Sequence, residues 1–264
     1  MNRIDKKFAE LKKLGRKALV AFFTAGDYGL QNTKKLVIEF EARGVDIIEL
    51  GIPFSDPVAD GPTIQISSER ALKRGTKLKD VISAVGELRN KTEIPIVLMG
   101  YYNPILKYGI SKFISDCAKN GVDGAIIPDL PPEESGELVS AARAKGFATI
   151  FLLSPTSTAK RIKLISKYSR GFIYYVSLTG ITGARSSLPR ELASRVRLIK
   201  RHSKLPVCVG FGVSNPAQVR QICYAADGAI VGSAIVKEIE KNSAKKRFIG
   251  NVGDYVQKLT EAAH

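Results

Sequence analysis

Residues 32–62 read NTKKLVIEFEARGVDIIELGIPFSDPVADGP, and the order of residue types in this stretch decides the fold. Asn32 to Arg43 carries the polar-faced pattern of a helix, and Gly44 stands where a left-handed cap would end it. Asp46 to Leu50 then forms a short apolar run rich in Ile, the pattern of a strand. Beyond Leu50 the chain enters a loop with Pro53, Pro57 and Pro62, which restrict its wandering.

The same helix, glycine and strand order recurs along the chain. Candidate strands are Ala18 to Thr24, Asp46 to Leu50, Ile94 to Met99, Gly124 to Pro128, Ala148 to Leu153, Phe172 to Ser177, Pro206 to Phe211 and Ala229 to Val231. Pro132 to Lys145 reads as a helix opened by prolines, and Gly121 and Gly146, like Gly44, fit left-handed caps. The apolar runs are continuous rather than alternating, which predicts strands covered on both faces and hence a parallel sheet. About eight such units give a single-domain (β/α)8 TIM barrel over residues 1–264, with an extra amphipathic helix at its N-terminus. An open doubly wound sheet is the alternative, but Phe22-Phe23-Thr24-Ala25-Gly26-Asp27 after the first strand lacks its G-x-G-x-x-G fingerprint. The barrel places the site at the C-terminal ends of the strands.

Composition narrows the function. The 264 residues are 44% hydrophobic, enough for a substantial core and too many for intrinsic disorder. Lys and Arg number 41 against 25 Asp and Glu, a formal charge of +16, which raises nucleic acid or an anionic membrane as a partner. The basic residues are scattered (Lys34 and Lys35, Lys160 to Lys163, Arg195 to Arg201) and no nucleic-acid signature lies among them, so a solvated surface without specific nucleic-acid binding is expected. Cys117, Cys208 and Cys223 form no C-x-x-C pair and read as buried free thiols. His202 and His264 are the two histidines, so a His-based triad or metal site has almost no material. The charged N-terminus lacks a signal-peptide core, and the longest apolar runs, such as Ala18 to Phe23, are too short to span a bilayer; a soluble cytoplasmic protein with no membrane partner is expected.

Four strand ends carry candidate chemistry. Glu49, set among Ile48, Leu50 and the barrel wall, loses hydration, which raises its pKa and suits it to general acid/base work. Its alternative is a buried Glu paired with a Lys or Arg. Asp60, in the loop that follows, is a second carboxylate able to reach over the barrel mouth, or else a turn residue capping the helix at Pro62. Gly210-Phe211-Gly212 and Gly232-Ser233 end the last two strands just before helices, where backbone N–H groups converge on an anion; this predicts a phosphate site. Thr179 to Arg185, rich in glycine, has the composition of a mobile lid.

These residues resemble the α subunits of tryptophan synthase along nearly the whole chain. The matches are Phe22-Phe23-Thr24-Ala25-Gly26, Glu49 through Pro57 to Asp60-Gly61-Pro62, Tyr101-Tyr102-Asn103-Pro104, Gly180-Ile181-Thr182-Gly183, and Gly210-Phe211-Gly212 with Gly232-Ser233. The resemblance implies a retro-aldol cleavage of indole-3-glycerol phosphate to indole and glyceraldehyde 3-phosphate, without metal or organic cofactor in this chain. It implies that Glu49 shuttles protons and that Asp60 accepts the indole N–H and stabilises the cation. It further implies that Tyr174 orients the site, that Thr182 closes over the substrate against Asp60, and that Phe22, Leu98, Ile126 and Phe211 hold the indole. Gly183, Gly212, Gly232 and Ser233 would hold the phosphate. Asp56, Pro57 and Asn103 would face a β subunit, which carries pyridoxal phosphate and receives indole in an α2β2 complex. Two rivals are a subunit kept only to activate its β partner and a different sugar-phosphate barrel; intact Glu49 and Asp60 oppose the first, and the long Glu-to-Pro run opposes the second. A charge of +16 is more basic than the resemblance leads one to expect.

Overall fold

In chain order the secondary structure is α1 (Arg3–Lys13), β1 (Ala18–Thr24), α2 (Leu30–Ala42), β2 (Ile47–Gly51), α3 (Pro62–Lys73), α4 (Leu78–Leu88), β3 (Ile96–Met99), α5 (Tyr102–Tyr108), α6 (Ile110–Lys119), β4 (Gly124–Ile126), α7 (Gly136–Ala144), β5 (Ala148–Ile150), β6 (Leu152–Leu153), α8 (Ala159–Tyr168), β7 (Ile173–Val176), α9 (Arg190–His202), β8 (Val207–Gly210), α10 (Pro216–Ala225), β9 (Gly228–Val231), α11 (Ser233–Asn242) and α12 (Phe248–Ala263). The structure, a computed structural model, describes residues 2–177, 190–210 and 212–264. All strand pairings among these residues are parallel, in the order β5-β4-β3-β2-β1-β9-β8-β7-β6. β5 pairs with β4 and β6 pairs with β7. Because Phe151 alone separates β5 from β6, the two are one run, and it closes the ring of eight runs into a barrel.

Covering both faces of each strand explains the unbroken apolar runs. On β1 and β2 every residue is buried. Val20, Ile47, Val97, Ile126, Cys208 and Ile230 fill the barrel interior. Leu19, Phe23, Ile48, Leu50 and Leu98 face outward into a second layer with Leu36 and Phe40 of α2 and Val85 of α4. Phe23 and Phe40 meet there edge to face, with ring centroids 5.3 Å apart. The extra helix α1 lies across the N-terminal end of the barrel and inserts Ile4, Phe8 and Leu11 into the interior cluster. Full burial of such side chains stabilises by roughly 1.5–3 kcal/mol each. Asn2 caps α1 by accepting the Ile4 N–H at 2.9 Å.

Gly44, Gly121 and Gly146 adopt φ of 85°, 76° and 65°, the left-handed conformation expected after their helices. The helix expected from Pro132 starts later, at Gly136. Pro131 and Pro132 remove two successive donors, and a residue before proline avoids the helical region. The chain instead forms a turn: Glu134 N–H donates to Pro131 at 3.1 Å, and the Ser135 hydroxyl donates to the Pro132 carbonyl at 2.8 Å.

Candidate active site

At the C-terminal end of the barrel lies a cavity of about 290 Å³. Its walls follow from strand register. Phe22 on β1 is level with Glu49 on β2, Met99 on β3 is level with Ile126 on β4, and Leu152 on β6 is level with Tyr174 on β7. All six line the cavity.

Glu49 is 1% exposed, and neither of its carboxylate oxygens has a hydrogen-bond partner among the described residues. Other buried acids are satisfied. Asp27 is held by Arg70 at 2.6 and 2.9 Å, Asp46 accepts the Leu19 N–H at 2.8 Å, and Asp123 pairs with Arg89 at 2.9 Å. A buried carboxylate without a partner disfavours its charged form. Burial, with a smaller contribution from the charge of Asp60, pushes the Glu49 carboxyl up to about 8. The basic partner considered for Glu49 is therefore absent among the described residues.

Asp60 sits in the turn its sequence suggests, its N–H donating to the Pro57 carbonyl at 2.9 Å. It is not the cap of α3: Gly61 holds that position without a side-chain cap. The Asp60 side chain lines the cavity and accepts a hydrogen bond from the Tyr101 hydroxyl, which also accepts the Ala59 N–H at 3.0 Å. Burial raises the Asp60 carboxyl to about 6, and the Tyr101 bond opposes that rise. Near neutral pH the cavity thus holds one carboxyl mostly protonated and one mostly ionised. Tyr174 is pushed well above the usual phenol range by burial and then by the charges of Glu49 and Asp60, so it is a neutral hydroxyl. A Cβ at Gly210 would lie 2.6 Å from the Tyr174 hydroxyl oxygen, so glycine leaves the ring its place.

Across the cavity, Gly232 caps α11 and Ser233 opens it. The first intrahelical bond there runs from Val236 N–H to the Gly232 carbonyl at 3.1 Å, which leaves the N–H groups of Ser233, Ala234 and Ile235 without helical acceptors. No acidic residue occupies the first turn of α11, so nothing in it competes with an incoming anion for these donors and the helix dipole. Gly212, with φ 74°, also lines the cavity. A Cβ at Gly232 would stand 3.1 Å from Phe22 Cδ1, so the anion end and the aromatic wall are in direct contact.

The cavity gathers Phe22, Glu49, Asp60, Ile126, Tyr174, Gly212, Gly232 and Ser233. Thr182, Gly183 and Phe211 lie outside the described residues. Leu98 requires a correction: it is fully buried between the sheet and the helices, and its neighbour Met99 lines the cavity. Successive strand side chains point to opposite faces, so a displacement by one residue exchanges inside for outside. Met99, Leu152, Val176, Val213 and Ile230 carry no distinguishing signal in the sequence; Met99 follows only once Val97, two residues before it, is seen to face the barrel interior. Tyr101, the partner of Asp60, stood in the quoted matches without an assigned role. Asp56 and Asn103 are exposed at the rim, with Pro57 partly buried; nearby Val58 is 82% exposed and Leu106 53%. Among the described residues no group of three or more His, Cys, Asp or Glu could hold a metal ion, and no helix is long and apolar enough to cross a membrane.

The family described as Tryptophan synthase alpha chain matches residues 8–264. The tryptophan synthase alpha chain of Geotalea daltonii is 54% identical over 246 residues, 93% of each chain, and that of Geobacter sulfurreducens is 50% identical over 263 residues, 99% of each. Among solved structures, tryptophan synthase subunit alpha from Legionella pneumophila str. Paris superposes with a TM-score of 0.93 at 40% identity, covering 100% of this chain and 98% of that one. A chain of tryptophan synthase from M. tuberculosis, in the aminoacrylate-bound form, gives 0.89 at 32% identity with 100% of both covered. With a barrel of this topology and identities of this size over nearly its whole length, the chain belongs to the tryptophan synthase alpha chain family.

Proposed function

We propose that the cavity cleaves indole-3-glycerol phosphate to indole and glyceraldehyde 3-phosphate by a retro-aldol reaction, with Glu49 and Asp60 as its catalytic residues. The observation that carries this reading is the Glu49 carboxyl, buried without a partner in the same cavity as the ionised Asp60. Cleavage needs a proton on C3 of the indole and the loss of one from the adjacent glycerol hydroxyl. Protonated Glu49 donates to C3, and the ring nitrogen becomes an iminium-like cation whose N–H faces the Asp60 carboxylate. Glu49, now ionised, takes the hydroxyl proton as the carbon–carbon bond breaks. The bond's electrons return to the ring, the aldehyde forms, and Glu49 ends protonated as it began. Acid/base assistance of this kind contributes about 10² to 10⁴ in rate, and a fixed carboxylate beside a developing cation contributes further.

Phe22, Met99, Ile126 and Leu152 supply the apolar walls for the indole, and Tyr174 orients it. The free N–H groups of α11 hold the phosphate, with Gly212 and Ser233 beside them. Thr182, Gly183 and Phe211 belong to the same proposal through the family pattern. The rim of Asp56, Pro57 and Asn103, with exposed Val58 and Leu106, faces a β subunit that carries pyridoxal phosphate and takes up the indole.

The test is to incubate the purified chain with indole-3-glycerol phosphate, with and without a β subunit, and to follow indole. Release of indole is expected in both and is faster with the β subunit. No indole in either would overturn the assignment.

A further inference from the structure

The charge of +16 is not used by the active site, and part of it collects in one place. At the opposite end of the barrel, where β1, β8 and β9 begin, a cleft of about 560 Å³ opens between the end of α1 and the segment from α9 to β8. That volume lies within the range of about 300–1,000 Å³ usual for small-molecule sites. Lys12, Arg16, Lys17, Lys200 and Lys204 line it against a single carboxylate, Asp227. Asp227 is already engaged, by Lys200 at 2.7 Å, by Lys17 at 3.9 Å and by the Val207 N–H at 2.9 Å. Among the described residues Lys12, Arg16 and Lys204 form no ion pair, and all three are exposed. The floor is apolar, formed by Leu11, Leu205 and Pro206.

Helix dipoles do not account for this cluster. Basic residues in the last turn of a helix are favoured by its negative end, which explains Lys12 of α1 and Lys200 of α9. Arg16, Lys17 and Lys204 lie beyond those helices. Nor does a uniformly basic surface account for it. The adjoining cleft on the other side of α1 sets Arg3, Lys6, Lys7 and Arg16 against Glu10, Glu41, Asp46 and Glu93, and pairs them as Arg3–Glu93 and Lys7–Glu10. Uncompensated cations converging on one concave surface raise the local concentration of anions.

We propose that this cleft is a binding site for a polyphosphate anion, remote from the active site. The anion is either a bare polyphosphate or the phosphate tail of a nucleotide, whose base would lie on the apolar floor.

The experiment is calorimetric titration of the full chain with tripolyphosphate and with ATP at about 50 mM salt, low enough to leave exposed charges only weakly screened across the cleft. Saturating glycerol 3-phosphate keeps the N-terminus of α11 filled. Both ligands are expected to bind the wild type. The triple variant Lys12→Glu, Arg16→Glu, Lys204→Glu should bind each at least about tenfold more weakly, about 1.4 kcal/mol, while cleaving indole-3-glycerol phosphate at the wild-type rate. ATP binding more tightly than tripolyphosphate identifies the nucleotide; equal or weaker binding identifies bare polyphosphate. Failure of the wild type to bind either ligand, equal binding by the variant, or binding confined to duplex DNA would each overturn the site. A variant that loses thermal stability yet binds as the wild type would overturn the site and give these cations a role in stability instead.

Discussion

Replacing Glu49 with Gln should make the protein more stable as well as inactive, and the gain should depend on pH. Folding raises this carboxyl from 4.5 to about 8, so between those values the folded chain holds a proton that the unfolded chain releases. By linkage, the stability associated with protonated Glu49 is fully present below pH 4.5 and is lost as pH rises through about 8. At about 1.4 kcal/mol per pH unit, the penalty for ionised Glu49 approaches roughly 5 kcal/mol. A Gln of the same shape carries no such penalty. Thermal melts of the two proteins, followed by circular dichroism from about pH 5 to pH 9, should diverge with rising pH. For a domain of this size roughly 5 kcal/mol corresponds to about 10 °C or more. Titrating groups that do not interact with Glu49 behave alike in both proteins and cancel in the difference. A difference in melting temperature that stays constant over this range would refute the claim that Glu49 is buried without compensation. In the same variant, indole release should fall by about 10² to 10⁴.

Asp60→Asn should be severely impaired in cleavage, because the amide offers no charge to the developing cation, while the melting temperature changes little since α3 is capped at Gly61; a large loss of stability would return Asp60 to a structural role. Gly232→Asp puts a like charge among the donors of α11 and a side chain against Phe22, and should abolish the preference for phosphorylated over dephosphorylated substrate analogues; an unchanged preference would remove the phosphate from this helix. Leu98→Ala and Met99→Ala should separate packing from binding: the first costs about 2–5 kcal/mol of stability with KM unchanged, and the second raises KM for the indole substrate with less effect on stability. The reverse outcome in kinetic and melting measurements would restore Leu98 to the pocket.

The barrel was legible because strands covered on both faces read as unbroken apolar runs: Ala18 to Thr24 coincides with β1 end to end. The same property hides orientation. When both faces are apolar, nothing in Ile96-Val97-Leu98-Met99 says which residues point inward, so the sequence does not distinguish Leu98, which faces the helices, from Met99, which lines the cavity. Glu49 could be found because a carboxylate in an apolar strand is conspicuous, but the presence of a partner is a tertiary fact that only the packed barrel answers. The start of α7 is not legible in the sequence, because Pro131 and Pro132 make a good turn as readily as a good first helical turn. Charge was the least legible quantity. Scattered in sequence, Lys12, Arg16 and Lys204 come together only when α1 folds beneath the barrel beside the chain leading into β8.

The most direct test of the central claim, that cleavage requires protonated Glu49 and ionised Asp60 in one cavity, is the pH dependence of kcat/KM for indole release by the isolated chain, measured at limiting substrate, where the groups of the free protein set the profile. The rate should rise as Asp60 ionises near pH 6, fall as Glu49 loses its proton near pH 8, and lose the acidic limb in Asp60→Asn wherever residual activity can be measured. A rate independent of pH from about 5 to 9, or an acidic limb that persists in Asp60→Asn, would contradict the assignment of these two carboxyls.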